Sequence, residues 1–498
     1  MTVTREHPGG RRLMVVYLVT GLSLVVLLML AGLAMRMAQA GWLGLRPDYF
    51  YALMTLHGSG MIAALIVCGM GGIWYFVSRE AELSLRLGYW AYGLVIGGVV
   101  LVLLATLVGR FATGWTFLYP LPFVNPTWPT WSTGAFLVGM VLITLGWSVW
   151  CVQVLAALLR RFGGLRGALA WDLVFRREAF SESGREPPPP QMLAATVTSF
   201  NGLLAAAASM LIGVPLVVRW LDPAVGLDPL WAKNATYFFG HEFANIIIYM
   251  LVAFVYVGLP HYTDRKWRTS RAFVLGWWGT MTFIVVNYSH HLYMDFAQPT
   301  ALNYLGQVAS YLSALPVAVV TVYGGVLLIL GSGVRWALST VFLYGGLAGW
   351  ILGGVGALLD ATIEYNLFFH NTLWVPAHFH GYLLGASFLF ALGWAFLLLE
   401  SRSGQRTSLA NRWLVGGSVF GGIALLLASF YVAGAAGVPR RYAVEPEPGP
   451  ALAALGSVGA ILLLAGLGVS AAEAWRLWRA GRPAEEPAPR PDLAPETS

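Results

Sequence analysis

Six histidines carry the chemistry open to this sequence. His57 lies in "LMTLHGSGM", His241 in "YFFGHEFANIIIY", His290 and His291 in "FIVVNYSHHLYMD", and His378 and His380 in "HNTLWVPAHFHGYLLG". Each stretch is apolar. Imidazole is costly in hydrocarbon, so ionisable residues there mark functional positions by default. A lone intramembrane histidine is often only a hydrogen-bonded packing residue. Six of them with few charged residues nearby exceed that account. Neutral imidazole is also a common ligand of iron and copper.

Spacing narrows the chemistry. On a helix, His378 and His380 point roughly 200° apart. They cannot share one small metal site, but each can hold a different flat cofactor. Haem fits this: it needs axial histidines, an apolar slot and cations for its propionates. Arg440 and Arg441 in "GVPRRY" supply the cations. His290 and His291 lie about 100° apart and reach one ion together if the last turn of their helix loosens. With His241 they make a three-nitrogen metal site.

The elements that position these residues follow from composition. The chain has 498 residues, 58% hydrophobic and 11% charged, which excludes a soluble globule. Apolar runs long enough to cross a bilayer recur throughout. The predicted fold class is an all-α membrane protein with about twelve spans: 12–37, 49–77, 86–109, 132–160, 191–218, 231–260, 271–293, 302–330, 334–358, 372–399, 411–435 and 451–474. The runs lack the two-residue alternation of a membrane barrel. The first run is too long for a secretory signal. Cys68 and Cys151 offer neither a disulfide framework nor a thiolate cluster. Residues 1–480 are predicted to be one polytopic catalytic domain, and 481–498 a disordered cytoplasmic tail.

Arginines fill alternate loops, among them "RRFGGLR", "DRKWRTSR" and the segment from Arg402 to Arg412. The positive-inside rule then puts both termini in the cytoplasm of an inner (cytoplasmic) membrane protein. The other side is nearly bare and carries aromatic loops such as "GWTFLYPLPFVNPTWPTW". Arg440 and Arg441 break that pattern, which calls for an anionic partner. Segments two, six and ten run inward and carry their histidines in their first turns. Segment seven runs outward and carries its pair in its last. All six then share the outer third of the membrane, within roughly 10 Å of depth. His7 and His261 fall in cytoplasmic segments and His370 near an outer loop.

These motifs resemble the catalytic subunit of the haem–copper oxygen reductase superfamily, which includes nitric oxide reductases. The resemblance covers nearly the whole chain. It implies that His57 and His380 are axial ligands of a low-spin haem. His378 is the implied proximal ligand of a high-spin haem, and His241, His290 and His291 hold a copper or non-haem iron facing it. Arg440, Arg441 and His370 are implied near the propionates. Most oxygen reductases carry a tyrosine one turn after the helix-six histidine; here Asn245 stands there, and Glu242 where proline is usual. One branch takes its tyrosine six residues before the paired histidines; here that is Ile284.

That tyrosine supplies an electron and a proton for O–O cleavage, and its loss marks the nitric oxide reductases. The resemblance is closest to B-type oxidases and their nitric-oxide-reducing relatives. The expected function is therefore reduction of two NO to N2O and water, as in denitrification. Glu242 or Asn245 is expected to contact the metal or its water, with Glu242 a candidate proton relay and an interhelical hydrogen bond the plainer role for either. Tyr256 matches a channel tyrosine of the B-type enzymes. Val317 and Val320 stand where those enzymes have hydroxyls, with Thr321 adjacent, so the inner channel is either damaged or replaced by another water chain. Tyr249 is expected only to pack. The alternatives are a terminal oxygen reductase and, from another class, a membrane transporter. Electrons must come from a partner subunit with a dicopper cupredoxin or cytochrome c type centre, or from quinol. Membrane lipid is the other expected partner, and nucleic acid is not one.

Overall fold

The computed structural model describes residues 9–114, 125–295 and 297–481. Most of the aromatic outer loop, His7 and all but the first residue of the expected tail lie outside the described residues. Among the described residues twelve long helices form: α1 (Gly10–Gln39), α2 (Pro47–Ser78), α3 (Leu85–Val108), α4 (Thr130–Phe162), α5 (Pro190–Leu221), α6 (Pro229–Thr263), α7 (Arg271–Asn287), α8 (Thr300–Ile329), α9 (Leu338–Asp360), α10 (Trp374–Ser403), α11 (Leu409–Ala435) and α12 (Gly449–Ala480). Eleven are long and apolar enough to cross a membrane. The remaining one, α7, has 17 residues and continues as a 3-10 turn, Tyr288–Leu292.

Local chemistry sets several starts. Asp228 accepts a hydrogen bond from the Trp231 backbone N–H at 2.6 Å, and Ser270 accepts from Phe273 at 3.2 Å. These caps satisfy donors that a helix N-terminus leaves open. Pro47, Pro190 and Pro229 sit in first turns, where their missing N–H costs nothing.

Burial separates the helices into an inner and an outer set. The apolar spans of α2, α6 and α10 are 78, 83 and 67% buried, against 28–50% for the other eight. Those three inner helices carry His57, His241, His378 and His380. The histidines therefore face protein, as ionisable groups in a membrane must.

Close approach of α9 to α10 fixes the most densely functional helix. Gly349, Gly353 and Gly356 line the α9 side. A Cβ on Gly353 would lie 2.7 Å from the Tyr382 backbone nitrogen, and one on Gly356 would lie 2.9 Å from His378 Cβ. Without a driving force from water, helices in lipid associate through such small-residue seams. A buried ion pair ties α1 to the loop before α12: Arg36 Nη1 lies 2.8 Å from Glu445 Oε1.

Candidate functional site

Two cavities flank α10, and Phe379 and Leu383 line both. His380 faces the first and His378 the second, as the two-residue spacing requires.

In the first cavity, the His57 and His380 ring centroids are 6.0 Å apart and the ring planes differ by 18°. Two metal–nitrogen bonds of roughly 2 Å each, with half a ring at either end, span about that distance. His57 Nδ1 lies 2.8 Å from the Leu28 carbonyl and His380 Nδ1 lies 2.7 Å from the Pro376 carbonyl. Each carbonyl accepts an Nδ1–H, which leaves Nε2 as the ligand atom. The surrounding wall is apolar, with Val25, Met29, Leu65 and Leu426 among its residues. Arg36, Arg440 and Arg441 stand in the same wall. Nε and Nη2 of Arg36 are buried without a hydrogen-bond partner. A flat apolar group with anionic edges fits this cavity.

The "GVPRRY" turn is clamped onto the start of α10. The Arg440 backbone N–H donates to the Asn371 carbonyl at 2.8 Å, and its guanidinium donates to Asn371 Oδ1 at 2.9 Å. Burial, then the adjacent Arg441 charge, lowers Arg440 from its usual value, so an anion there would be favoured. His370 sits in the loop between α9 and α10. Burial, then the charges of Arg440 and Arg441, lower it to about 4.

The second cavity brings together His241, His290, His291 and His378. One nitrogen from each of the first three lies within 4.8 Å of the others. His241 Nδ1 is 3.1 Å from His291 Nε2. His290 Nδ1 is engaged by Ser310 Oγ at 2.9 Å, which turns Nε2 to the centre. The expectation of a loosened turn is corrected: Tyr288–Leu292 winds as 3-10 helix, tighter than an α turn, and within it the His290 and His291 ring centroids lie 4.3 Å apart. Three imidazoles with open space beside them are the donor set of a reactive metal centre rather than a closed structural one.

Asn245 lines this cavity, with its amide nitrogen 3.0 Å from His241 Nε2 and 2.9 Å from the His241 carbonyl. Glu242 does not line it. That carboxyl is fully buried on another face of α6, toward Asn201 of α5. Ile284 is buried on α7.

Tyr237 escaped the sequence reading. Its ring lies 5.7 Å from that of His291 with planes 24° apart, and its hydroxyl meets Arg441. The signal was its place one turn before His241, on the same helix face.

A line of polar groups leads away from the cavity. Ser310, Ser313 and Asn287 line its floor, and Asn287 donates to Ser313 Oγ at 2.8 Å. Thr280 and Tyr249 donate to the Ser313 carbonyl at 2.7 and 3.4 Å. Tyr256, two turns further along α6, is 2.7 Å from Thr321 Oγ1. Thr321 places a hydroxyl beside Tyr256, where Val317 and Val320 carry none. Tyr249 is likewise more than packing.

Comparison with known proteins now decides the family. A family model for cytochrome c and quinol oxidase polypeptide I matches residues 12–468. The chain belongs to that family. This haem–copper oxidase subunit I is 22% identical to cytochrome c oxidase subunit 1 of Synechocystis sp. over 434 residues, covering 84% of this chain and 74% of the relative. It is 25% identical to cytochrome c oxidase subunit 1 of Thermus thermophilus, covering 80% and 70%. A haem–copper terminal oxidase dimer solved by cryo-electron microscopy shares the fold, with a TM-score of 0.72, 19% identity, and coverage of 96% of this chain and 86% of that one. A membrane-embedded oxidoreductase follows, and the transporter alternative is set aside.

Proposed function

We propose that this subunit catalyses reduction of two NO to N2O and water. The observation that carries this is Asn245. An amide, not a phenol, lies against His241 one turn on from it, and Ile284 fills the other tyrosine position. Four-electron O2 reduction needs a phenol as redox partner; pairing two NO molecules does not. The residues would hold one haem through His57 and His380, a second through His378, and copper or iron through His241, His290 and His291. When bound, these groups carry the electrons and bind the gas.

The chain's own residues do the rest. Arg440, Arg441 and His370 hold propionates. Asn245 orients His241 and a water or gas molecule in the cavity. Tyr256, Thr321, Tyr249, Thr280 and Ser313 provide a hydroxyl route for protons from the inner side, and Glu242 is a further relay candidate. Unchanged NO turnover in Glu242→Gln would remove that last role. Electrons enter from a cupredoxin-type or cytochrome c type partner, or from quinol, in an inner membrane with the site toward the outer face.

A second reading, terminal O2 reduction, is favoured by two observations. The relatives above are named cytochrome c oxidases, and Tyr237 places a phenol against His291. Turnover by the purified complex, with a reduced donor and either NO or O2, separates the two. N2O formation at a rate well above O2 consumption is expected. Rapid O2 turnover with negligible N2O would overturn the NO reading.

A further inference from the structure

Four of the histidines that turn Nε2 toward a haem or metal position, His57, His380, His290 and His378, differ in what Nδ1 meets. For His57 and His380 it is a backbone carbonyl, and for His290 a serine hydroxyl. For His378 it is a carboxylate. Asp360 Oδ2 lies 3.6 Å from His378 Nδ1, and both side chains are buried at 8% exposure. Among the described residues, Nδ1 of His378 has no hydrogen-bond partner. The gap exceeds ordinary N–H···O length by about half an ångström.

The pairing is built into α9. Gly356 and Asp360 are four residues apart, so they share a face. Gly356 has no side chain, and this lets His378 Cβ seat against the helix. Asp360, one turn on, then faces the ring. Asp360 is itself held: Asn366 donates to its carbonyl oxygen at 2.7 Å and to its Oδ1 at 3.3 Å. Oδ2 is left for the imidazole.

We propose that Asp360 is a positioning residue that accepts a hydrogen bond from His378 Nδ1–H, fixing the tautomer and strengthening Nε2 as a ligand. A carboxylate behind a metal-bound imidazole orients the ring and raises its basicity. The consequence is a more electron-rich iron at the reactive haem than at the bis-histidine haem, whose ligands have only carbonyls behind them. This rests on the reading of His378 as the proximal ligand.

The test is resonance Raman of the ferrous holoenzyme. In Asp360→Asn, the iron–imidazole stretching band is expected to move to lower frequency and the midpoint potential of the high-spin haem to rise, with the low-spin haem unchanged. A band and potential that stay put, with both haems loaded, overturn the proposal. If Asp360→Asn fails to load the haem, a cavity variant decides. His378→Gly is supplied with imidazole or with 1-methylimidazole, which lacks the second N–H. Imidazole is expected to bind at least tenfold tighter; equal affinities overturn the proposal. Should His378→Gly leave the five-coordinate haem spectrum intact, the ligand assignment itself fails, which is a distinguishable result.

Discussion

The two cavities beside α10 lie on opposite faces of one helix and finish their histidines differently. Around His57 and His380 the walls are apolar, and both Nδ1 atoms are tied to carbonyls of the backbone, which cannot change partner or ionise. Around His241, His290, His291 and His378 the partners are Ser310, Asn245, a neighbouring imidazole and Asp360. A polar floor also leads inward from that second cavity. Under the proposed function the first arrangement would hold a group between two fixed ligands, which suits electron storage and transfer. The second would offer coordination space and, along the polar floor, a supply of protons, which suits bond making.

Exchanging a single histidine on either side breaks that contrast most severely. His290→Ala is expected to abolish gas reduction, to lower non-haem metal by one equivalent per chain, and to leave two haems by pyridine assay. His380→Ala is expected to remove the low-spin spectrum while the metal content holds. If either substitution strips both cavities, the two sites are not separately built.

The polar floor offers a milder break. Thr321→Val removes the hydroxyl beside Tyr256 and is expected to slow steady-state turnover roughly tenfold, about 1.4 kcal/mol in the barrier. Both haem spectra should stay normal. An unchanged rate would show that protons reach the site by another path.

Packing across α9 and α10 sharpens the comparison from outside the cavities. Gly353→Leu forces a side chain into the Tyr382 backbone. It is expected to cost about 1–3 kcal/mol of stability, the usual range for overpacking. Thermal unfolding in detergent would show it as a lower midpoint, with the high-spin haem lost before the low-spin one.

What could be read from the sequence depended on distance along the chain. The opposed faces of His378 and His380, the convergence of His290 with His291 and the place of Asn245 are matters of helical angle within a few residues. They emerged as the spacing required. How the two adjacent rings meet was not legible: a loosened turn was expected at Tyr288–Leu292, and the chain instead winds more tightly there as 3-10 helix. Asp360 was not legible: it is 18 positions before His378, on another helix, and only the glycine seam brings them together. Tyr237 stands one turn before His241, and only the packing of the Tyr288–Leu292 turn against α6 shows that its ring meets His291. Thr321 was undervalued because one position of slip on α8 turns a side chain by about 100°, and only packing against Tyr256 shows which slip is used.

The smallest expected effect concerns His370, outside the membrane spans in the loop between α9 and α10. Burial first, and the Arg440 and Arg441 charges second, depress it to about 4, below its unfolded value of about 6.5. The sign follows. Above pH 6.5 His370 is neutral in both states and contributes nothing unfavourable. As pH falls from about 6.5 toward 4 the unfolded chain binds a proton that the folded one refuses, so stability declines across that window. His370→Gln should flatten that part of the pH–stability curve. Propionates bound at the two arginines would cancel much of their charge and leave burial as the main cause of the depression. The loss should therefore begin near pH 6.5 with or without haem, but run on to lower pH and reach a larger total in haem-free protein than in the holoenzyme, where the folded-state value lies nearer 6.5. A curve identical with and without haem would separate His370 from the propionates and leave it as a residue of the outer loop.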